Sequence, residues 1–399
     1  MFLLAVVIVA GFLYANVQRG LKSRGLTGGF DFLYREAGPP IGEGIEYQEG
    51  DPYWHAFWVG VVNTIRVSLF GIILATALGT LTGIARLSSN WLLRKLAGGY
   101  IEVVRNVPLL VQLVFWYFAV ILRPPRVKES IVLPGSIFLS NRGAALPSFT
   151  PTEAFYPWLA FLAAGLITAA LLWRWRIRRQ ERTGEPSHAV VCAAAALVGL
   201  TAIGWVVGRG RPLAVNLPEM GGFNYQGGLT LTPEFTAMLV GLTVYTGAFI
   251  AEVVRAGIQA VHVGQKEAAR ALGFSGGLSL RLIVLPQAVR VIIPPLISQH
   301  LNLAKNSSLA IAVGFPDLFA IAEAVFNQTG KAVEVIGMVM ASYLVMSLCT
   351  SLVLNLYNRR LRFAERGGGP RWFRRARSPT ADLDRPARVA EGKPVQHLV

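Results

Sequence analysis

The chain has 399 residues, of which 53% are hydrophobic and only 15% are charged, and its mean hydropathy is +0.48. Soluble domains carry about 25% charged residues, so this composition excludes an ordinary soluble protein and indicates a chain that crosses a membrane several times. The net charge of +16 does not indicate nucleic-acid binding, because the basic residues lie in short blocks beside apolar runs.

We expect an all-α polytopic membrane protein with about eight transmembrane helices, because eight apolar runs approach the length of about 20 residues that crosses a bilayer. The first run lacks a preceding basic region and a small-residue cleavage site. It therefore favours a membrane helix over a signal peptide, and whether Met1 is the true start stays open. The runs cover residues 2–17, 57–84, 107–122, 157–173, 189–207, 235–254, 289–303 and 333–357.

Lysine and arginine are concentrated in alternate loops, as is typical of loops that stay in the cytoplasm. The basic segments are residues 86–100, 174–188, the loop around 267–286 and the tail from residue 358. This distribution predicts that both termini are cytoplasmic, in agreement with an even number of spans. The tail from Gly367 is rich in Arg, Pro and Gly, and we expect it to be disordered beside anionic headgroups.

The loop "EAARALGFSGGLSLRLIVLP" (267–286) is too polar to cross a bilayer. Its first half predicts a short helix from Glu267 to Leu272, and Gly273 is suited to end it in a left-handed cap. Residues 274–277 predict a turn, after which a second helix runs to Leu285. Pro286 lacks a backbone donor and is expected to mark a bend where the chain re-enters the membrane. A force applied to this loop would reach the spans on both sides.

The spacing in this loop resembles the coupling loop of ABC importer permeases of the polar amino acid subfamily, and most of all the general L-amino-acid permease type. Further resemblance lies in "RNVPLLVQL" (105–113), "AEVVRAGIQAV" (251–261) and "PQAVRVIIPPLISQHLNLAKNSSLA" (286–310). The residues that match the loop motif, and that the resemblance makes ATPase-docking residues, are Glu267, Ala268, Ala269, Gly273, Ile283, Leu285 and Pro286.

The resemblance covers about residues 57–122 and 233–358 and implies a five-helix permease core in the bacterial inner membrane. The role of the inserted helix pair, 157–207, stays open, although larger amino acid permeases carry such an insertion. The implied organisation is an N-terminal membrane helix and periplasmic segment (1–56), the first part of the core (57–122), periplasmic loops with the inserted pair (123–232), the second part of the core with the coupling loop 263–286 (233–358) and a basic cytoplasmic tail (359–399).

The chain lacks a phosphate-cradling sequence of the type G-x-x-x-x-G-K-[ST], so we expect a permease that is not an enzyme and binds no cofactor of its own. The resemblance implies that two separate ATPase subunits bind ATP, that a periplasmic protein delivers the amino acid, and that a second permease completes the pathway. That permease is a copy of this chain or a homologue, with a heterodimer favoured, and membrane lipid surrounds both. The alternative is an ion-gradient-driven secondary transporter or channel, which leaves the cytoplasmic loop unexplained. The sequence does not identify the amino acids carried.

Polar side chains inside predicted spans are costly and indicate function by default. Residues 302–308 are expected to interrupt the seventh span and to begin a new helix, whose free N–H groups and Lys305 would bind a substrate carboxylate. The alternative is a gate that shapes the pore without touching substrate. The scattered histidines predict no metal site. The candidate substrate-pathway residues are Asn63, Arg66, Asn302, Lys305, Asn306, Ser307 and Ser308, and the candidate gating or structural ion-pair residues are Arg105, Glu252 and Arg255.

Overall fold

A computed structural model describes residues 8–9, 11–12, 15–16, 19–20, 29–38, 41–222 and 224–366. The chain divides into two compact units, residues 1–343 and 344–399. The predicted first span, 2–17, lies mostly outside the described residues, as does the tail beyond residue 366.

The described chain is mostly helical, and the mixed-polarity loops add short strands. The α-helices are α1 (Tyr53–Ala85), α2 (Trp91–Asn106), α3 (Leu109–Phe115), α4 (Phe155–Thr183), α5 (Ala189–Val207), α6 (Pro233–Gln259), α7 (Val263–Ala271), α8 (Gly276–Ser279), α9 (Leu285–Asn306), α10 (Leu318–Thr329) and α11 (Ala332–Arg366). The 3-10 turns are Asp31–Tyr34, Val127–Glu129 and Ser307–Val313, and the π-helical turns are Trp116–Ile121 and Leu280–Val284.

Within the described residues, six helices are long and apolar enough to cross a membrane, or seven if one bent pair counts as a span. The multi-pass helical fold is thus confirmed, whereas the predicted count of about eight is not. Helix α11 runs to Arg366, eight residues into the segment that was assigned to the tail.

The predicted span 107–122 is helical from Leu109 to Ile121, whereas the interpretation of residues 86–100 as a loop is wrong. Helix α2 occupies most of that loop, and the chain then bends by 107° before α3. Pro108 forces the preceding Val107 into an extended conformation, with φ −102° and ψ 131°. The Gln112 amide closes the break by donating to the carbonyls of Val104 at 2.8 Å and Val107 at 2.9 Å.

Pro286 does not bend or interrupt the chain, contrary to the prediction. Residues from Gly276 to Val313 form one helical run, which also replaces the shorter predicted span 289–303. The π-helical turn Leu280–Val284 precedes Pro286, which sits in the first turn of α9. A proline is tolerated there because the Leu285 amide donates to the Leu280 carbonyl, five residues back. This wider turn leaves the next N–H position without a partner, and Pro286 has no N–H to lose.

The core forms where α1, α3, α6 and α9 meet. Its fully buried side chains include Leu113, Phe235, Leu242, Ile250 and Leu303. Helices α1 and α6 have the most extensive contact of the described helix pairs. A Cβ on Gly79 would lie 2.6 Å from the Cβ of Ile250, and one on Gly83 would lie 2.6 Å from the carbonyl oxygen of Ala251. Small residues of this kind allow the backbones of membrane helices to approach closely.

The inserted helices α4 and α5 pack against each other as a hairpin, with Gly204 against Phe161 and Gly165 against Leu197. The loops beside them form three small antiparallel sheets, with strand orders β1–β2–β3–β8, β4–β5 and β6–β7. These strands were not predicted. They are β1 (Ile131–Leu133), β2 (Ile137–Ser140), β3 (Gly143–Leu146), β4 (Ser148–Pro151), β5 (Leu213–Asn216), β6 (Glu219–Gly221), β7 (Asn224–Gln226) and β8 (Leu229–Leu231). In register, Ala144 pairs with Leu231 and Phe149 with Val215.

The segment before α1 is fastened to several other elements. Within this segment, the Ala37 amide donates to the Asp51 carbonyl at 2.8 Å. The Gly29 amide donates to Glu334 Oε1 at 3.0 Å, and the Tyr53 hydroxyl donates to Gln328 Oε1 at 2.8 Å. Segment 29–52 is therefore held against the start of α11, and the first residue of α1 is held against α10.

Candidate functional site

The loop between α6 and α9 folds into the short helix α7, which ends as the sequence predicts. Gly273 has a φ of +79°, a value that a residue with a Cβ adopts only at a cost. Its amide donates to the Arg270 carbonyl at 2.9 Å, and the Phe274 amide donates to the Ala269 carbonyl at 3.0 Å. These two bonds form a Schellman motif. The next helix begins earlier than predicted, because Ser275 accepts from the Leu278 amide and caps α8.

Helix α7 has one buried and one exposed face. Ala269 is fully buried, whereas Glu267 and Ala268 are exposed. Leu272, just beyond the helix, has 72% of its surface exposed. The loop therefore presents a short helix with apolar and acidic groups to the space outside the protein, and an exposed apolar face of this kind suits a protein partner.

Both ends of this loop connect directly to membrane helices. Three residues, 260–262, separate α7 from α6, and α8 continues through the π-helical turn into α9 without a break. The motif residues Ile283, Leu285 and Pro286 lie in that continuous stretch, where the adjacent Val284 is buried. The Gln287 side chain donates to Gln265 of α7 at 3.5 Å. Helix α7 is therefore joined to α6 by a short connection and to α9 by a side-chain hydrogen bond.

Asn63 fastens the segment before α1 to the helix bundle. Its side chain is fully buried, and its amide nitrogen donates to the carbonyls of Glu43 at 3.1 Å and Pro316 at 2.9 Å. Gly44 is required beside it, because a Cβ there would lie 2.6 Å from Asn63 Oδ1. Both amide hydrogens of Asn63 are thus used within the chain.

Arg66 lies one turn further along α1, beside a group of acids that sequence reasoning missed. Its guanidinium lies 5.5 Å from the centre of the Phe235 ring, a cation–π contact, and it attracts the Glu43 carboxylate. Thr232 caps α6 by accepting from the Phe235 amide at 3.1 Å, and its hydroxyl donates to Glu43. Burial raises the pKa of the Glu43 carboxyl above its ordinary value, and the Thr232 hydrogen bond and the Arg66 charge oppose that rise.

Glu234, in the first turn of α6, adds a second carboxylate to this group and accepts from the Tyr117 hydroxyl at 2.7 Å. In the part of the chain that the structure describes, no carboxylate lies within ion-pair distance of Arg66. The arrangement is a half-buried cation with two nearby acids. Nothing in the sequence distinguishes Glu43 from the other acids of its loop, since the contact depends on a fold-back over twenty residues.

Glu252 and Arg255 form an ion pair within one turn of α6, with Arg255 Nε donating to Glu252 at 3.0 Å. Arg105 stacks on the Phe249 ring at 5.1 Å and adds attraction to Glu252. These three predicted residues are therefore brought together. The two members of the ion pair are each 29% exposed.

The predicted interruption at residues 302–308 is wrong. Helix α9 continues through Asn306 directly into the 3-10 turn that starts at Ser307. The hydroxyls of Ser307 and Ser308 donate back to the carbonyls of Ala304 at 2.8 Å and Lys305 at 2.9 Å. They therefore satisfy the preceding turn instead of capping a new one, and no new helix N-terminus is available to an anion. Asn302 and Lys305, one turn apart, are both exposed.

Two buried polar contacts near these segments were also missed. His300 Nε2 lies 2.9 Å from the Thr76 hydroxyl, which joins α9 to α1. Asp317 is fully buried and caps α10 by accepting from the Ala320 amide at 2.9 Å, and it also accepts from Tyr343. Burial raises the pKa of Asp317 to about 6.

Among the described residues, no three His, Cys, Asp or Glu residues are grouped so as to hold a metal ion.

Residues 189–363 match the family described as binding-protein-dependent transport system inner membrane component. The chain is 46% identical over 365 residues to a putative amino-acid ABC transporter permease protein of Escherichia coli strain K12, covering 91% of this chain and 92% of that one. It is 42% identical over 368 residues to the general L-amino acid transport system permease protein of Rhizobium johnstonii, with coverages of 91% and 92%.

A third relative, the glutamate/glutamine/aspartate/asparagine transport system permease protein of Rhodobacter capsulatus, is 37% identical over 392 residues, which cover 88% of this chain and 89% of that one. Among solved structures, the crystal structure of an amino acid ABC transporter with histidines aligns with a TM-score of 0.46 and 23% identity, covering 77% of this chain and 95% of that one.

Proposed function

Because this chain belongs to the family of amino-acid ABC transporter permeases, the inner-membrane components of binding-protein-dependent transport, we propose that it forms part of the pathway by which polar L-amino acids enter the cytoplasm. Two ATPase subunits dock on loop 263–286, and their closure on ATP moves the membrane helices. A periplasmic binding protein delivers the amino acid, and a second permease, favoured to be a homologue, completes the pathway. Both termini are cytoplasmic in this arrangement.

The observation that supports the coupling role is the exposed face of α7 on a loop with short, direct connections to α6 and α9. Glu267→Lys reverses a charge on that face, and Gly273→Asp strains the left-handed cap that ends it. We expect both variants to insert into the membrane normally, to lose ATP-driven uptake, and to retain less ATPase on purification.

Gly99→Asp is the matched control for Gly273→Asp, because a Cβ at either glycine meets no atom within 4 Å and only Gly273 has a positive φ. The control should transport like the wild type. Normal uptake by both test variants would remove the coupling assignment.

We place the substrate pathway along the exposed polar face of α9 and beside Arg66. Asn302 and Lys305 lie on the same side of α9, while Leu303 between them is buried, and an exposed lysine within a membrane-spanning helix needs a polar surface to face. Lys305 supplies a cation for the α-carboxylate, and Arg66 supplies another nearer the start of α1. Asn306, Ser307 and Ser308 shape this part of the helix, and Asn63 holds the loop beside Arg66.

Lys305→Ala tests whether this face contacts substrate, with Lys305→Arg as the charge-retaining control. Contact with the α-carboxylate, which all amino acids share, predicts that the half-saturation concentration rises for every amino acid in the alanine variant and is largely restored by arginine. A uniform loss of turnover at unchanged half-saturation would instead indicate a gating role and would refute substrate contact.

A further inference from the structure

A cavity of about 800 Å³ opens beside the coupling loop, between the ends of α1 and α6 and the helices α7 and α8. It lies where several membrane helices begin or end, since α1 stops at Ala85, α6 stops at Gln259 and the long run through α9 starts at Gly276. Because the apolar spans end here, we expect the cavity to lie at the level of the lipid headgroups. A volume of this size suits a bound small molecule or part of a lipid.

The charge of the cavity is entirely positive. Lys266 and Arg270, one turn apart on α7, are its charged lining residues, and no acidic side chain lines it. Within the described chain, no carboxylate lies within 4.0 Å of either cation. Ser88 and Ser89, in the turn between α1 and α2, supply hydroxyl groups to the same space. The Ser279 hydroxyl and the Gln259 amide also line the cavity, and together these groups form a set of donors for a phosphate group.

The walls of the cavity are apolar. Most of the remaining lining comes from aliphatic side chains of four different helical segments, which face inward towards one another. They include Ile84, Leu87, Leu93, Ile258, Leu280 and Val284. A free phosphate or a nucleotide would leave these walls in contact with water. A molecule that is both anionic and apolar would cover them.

We propose that this cavity binds one anionic phospholipid, whose phosphate contacts Lys266 and Arg270 and whose upper acyl chain covers the aliphatic walls. Basic pockets between membrane helices at the cytoplasmic side bind anionic headgroups in this way. The inference extends the proposed function and depends on it for one point, that this face is cytoplasmic.

The lipid and the ATPase would occupy opposite sides of the same short helix. Lys266, Ala269 and Arg270 fall on one side of α7, with Ala269 fully buried, whereas Glu267 and Ala268 are exposed on the other. A bound lipid would thus fix the orientation of α7 against the bilayer without blocking the docking face. Coupling would then depend on anionic lipid in the surrounding membrane.

The test is lipid retention by the assembled transporter, purified in detergent with phosphatidylglycerol and phosphatidylcholine and measured by native mass spectrometry. The double variant Lys266→Gln/Arg270→Gln should bind phosphatidylglycerol about thirtyfold more weakly, because each cation near the surface contributes about fivefold, or about 1 kcal/mol. Lys266→Arg/Arg270→Lys should keep the lipid. Arg281→Gln is the matched control, since Arg281 is an exposed arginine of the same loop that does not line the cavity.

Equal retention of phosphatidylglycerol by the double glutamine variant would overturn the inference, and so would equal retention of phosphatidylcholine by the wild type. Displacement of the lipid by millimolar inorganic phosphate would assign the site to free phosphate instead. Loss of the lipid on assembly with the ATPase would show that the ATPase fills the cavity. Lipid retention is also measured on the permease without ATPase. This measurement distinguishes failure of lipid binding from failure of ATPase docking, and only the second would refute the proposed function.

Discussion

Replacing Asn63 with alanine tests whether this side chain is a tether or a substrate contact. The change removes two hydrogen bonds, to the carbonyls of Glu43 and Pro316, from a side chain that is fully buried. A buried acceptor that loses its partner costs about 1–3 kcal/mol. Because two acceptors lose their partner, we expect the free energy of unfolding to fall by about 2–6 kcal/mol.

The assay compares thermal unfolding of the detergent-purified protein with that of Asn106→Ala. Asn106 is an exposed asparagine whose amide donates only to the Glu102 carbonyl of its own helix, at 2.8 Å, so its loss should cost little. Half-saturation concentrations for uptake should be the same in Asn63→Ala as in the wild type, whichever amino acid is used. Equal melting temperatures for the two variants, or a change in half-saturation that differs between amino acids, would refute the tether.

Three further changes probe packing, charge and capping. Gly79→Ala should lower stability by about 1–3 kcal/mol through overpacking against α6, whereas Gly99→Ala, whose Cβ meets nothing within 4 Å, should not; equal melting curves would contradict this. Burial raises the pKa of Asp317 from 3.8 to about 6. The protonated carboxyl therefore stabilises the folded protein fully below about pH 3.8, and this stabilisation is lost as the pH rises through about 6. Asp317→Asn, which can still cap α10, should therefore be more stable than the wild type at pH 8, by up to about 3 kcal/mol, and the difference should disappear near pH 4; a difference independent of pH would exclude this cause. Thr232→Val removes the cap of α6 and the hydrogen bond to Glu43 and should cost about 1–3 kcal/mol, which Thr232→Ser should restore in the same melting experiment.

The membrane helices and the left-handed glycine at 273 could be predicted because each depends on a local property of the sequence. Apolar length determines where a helix can cross the bilayer, and a positive φ favours glycine wherever it occurs. The amphipathic helix α2 was missed because its basic residues, Arg94 and Lys95, suggested a loop when counted for topology. Its bend at Pro108 depends on the Gln112 side chain, which satisfies the carbonyls that the break exposes.

Proline and serine misled the prediction in the second half of the core. Pro286 can end a helix or occupy its first turn, and the preceding π-helical turn, which the sequence does not show, decides between these. Ser307 and Ser308 can cap a new helix or bond back to the previous turn, and burial of Ser307 favours the second. The contact of Glu43 with Thr232 joins residues 189 positions apart, so no local pattern could reveal it.

The close contact of α1 with α6 has a mechanical consequence. Because Gly79 and Gly83 bring the two backbones together, neither helix can turn about its own axis without carrying the other. Helix α6 has 27 residues and is therefore about 40 Å long. A tilt of about 10° imposed at the end near α7 would displace the opposite end by about 7 Å, which is wider than an amino acid backbone, and Arg66 on α1 would travel with it.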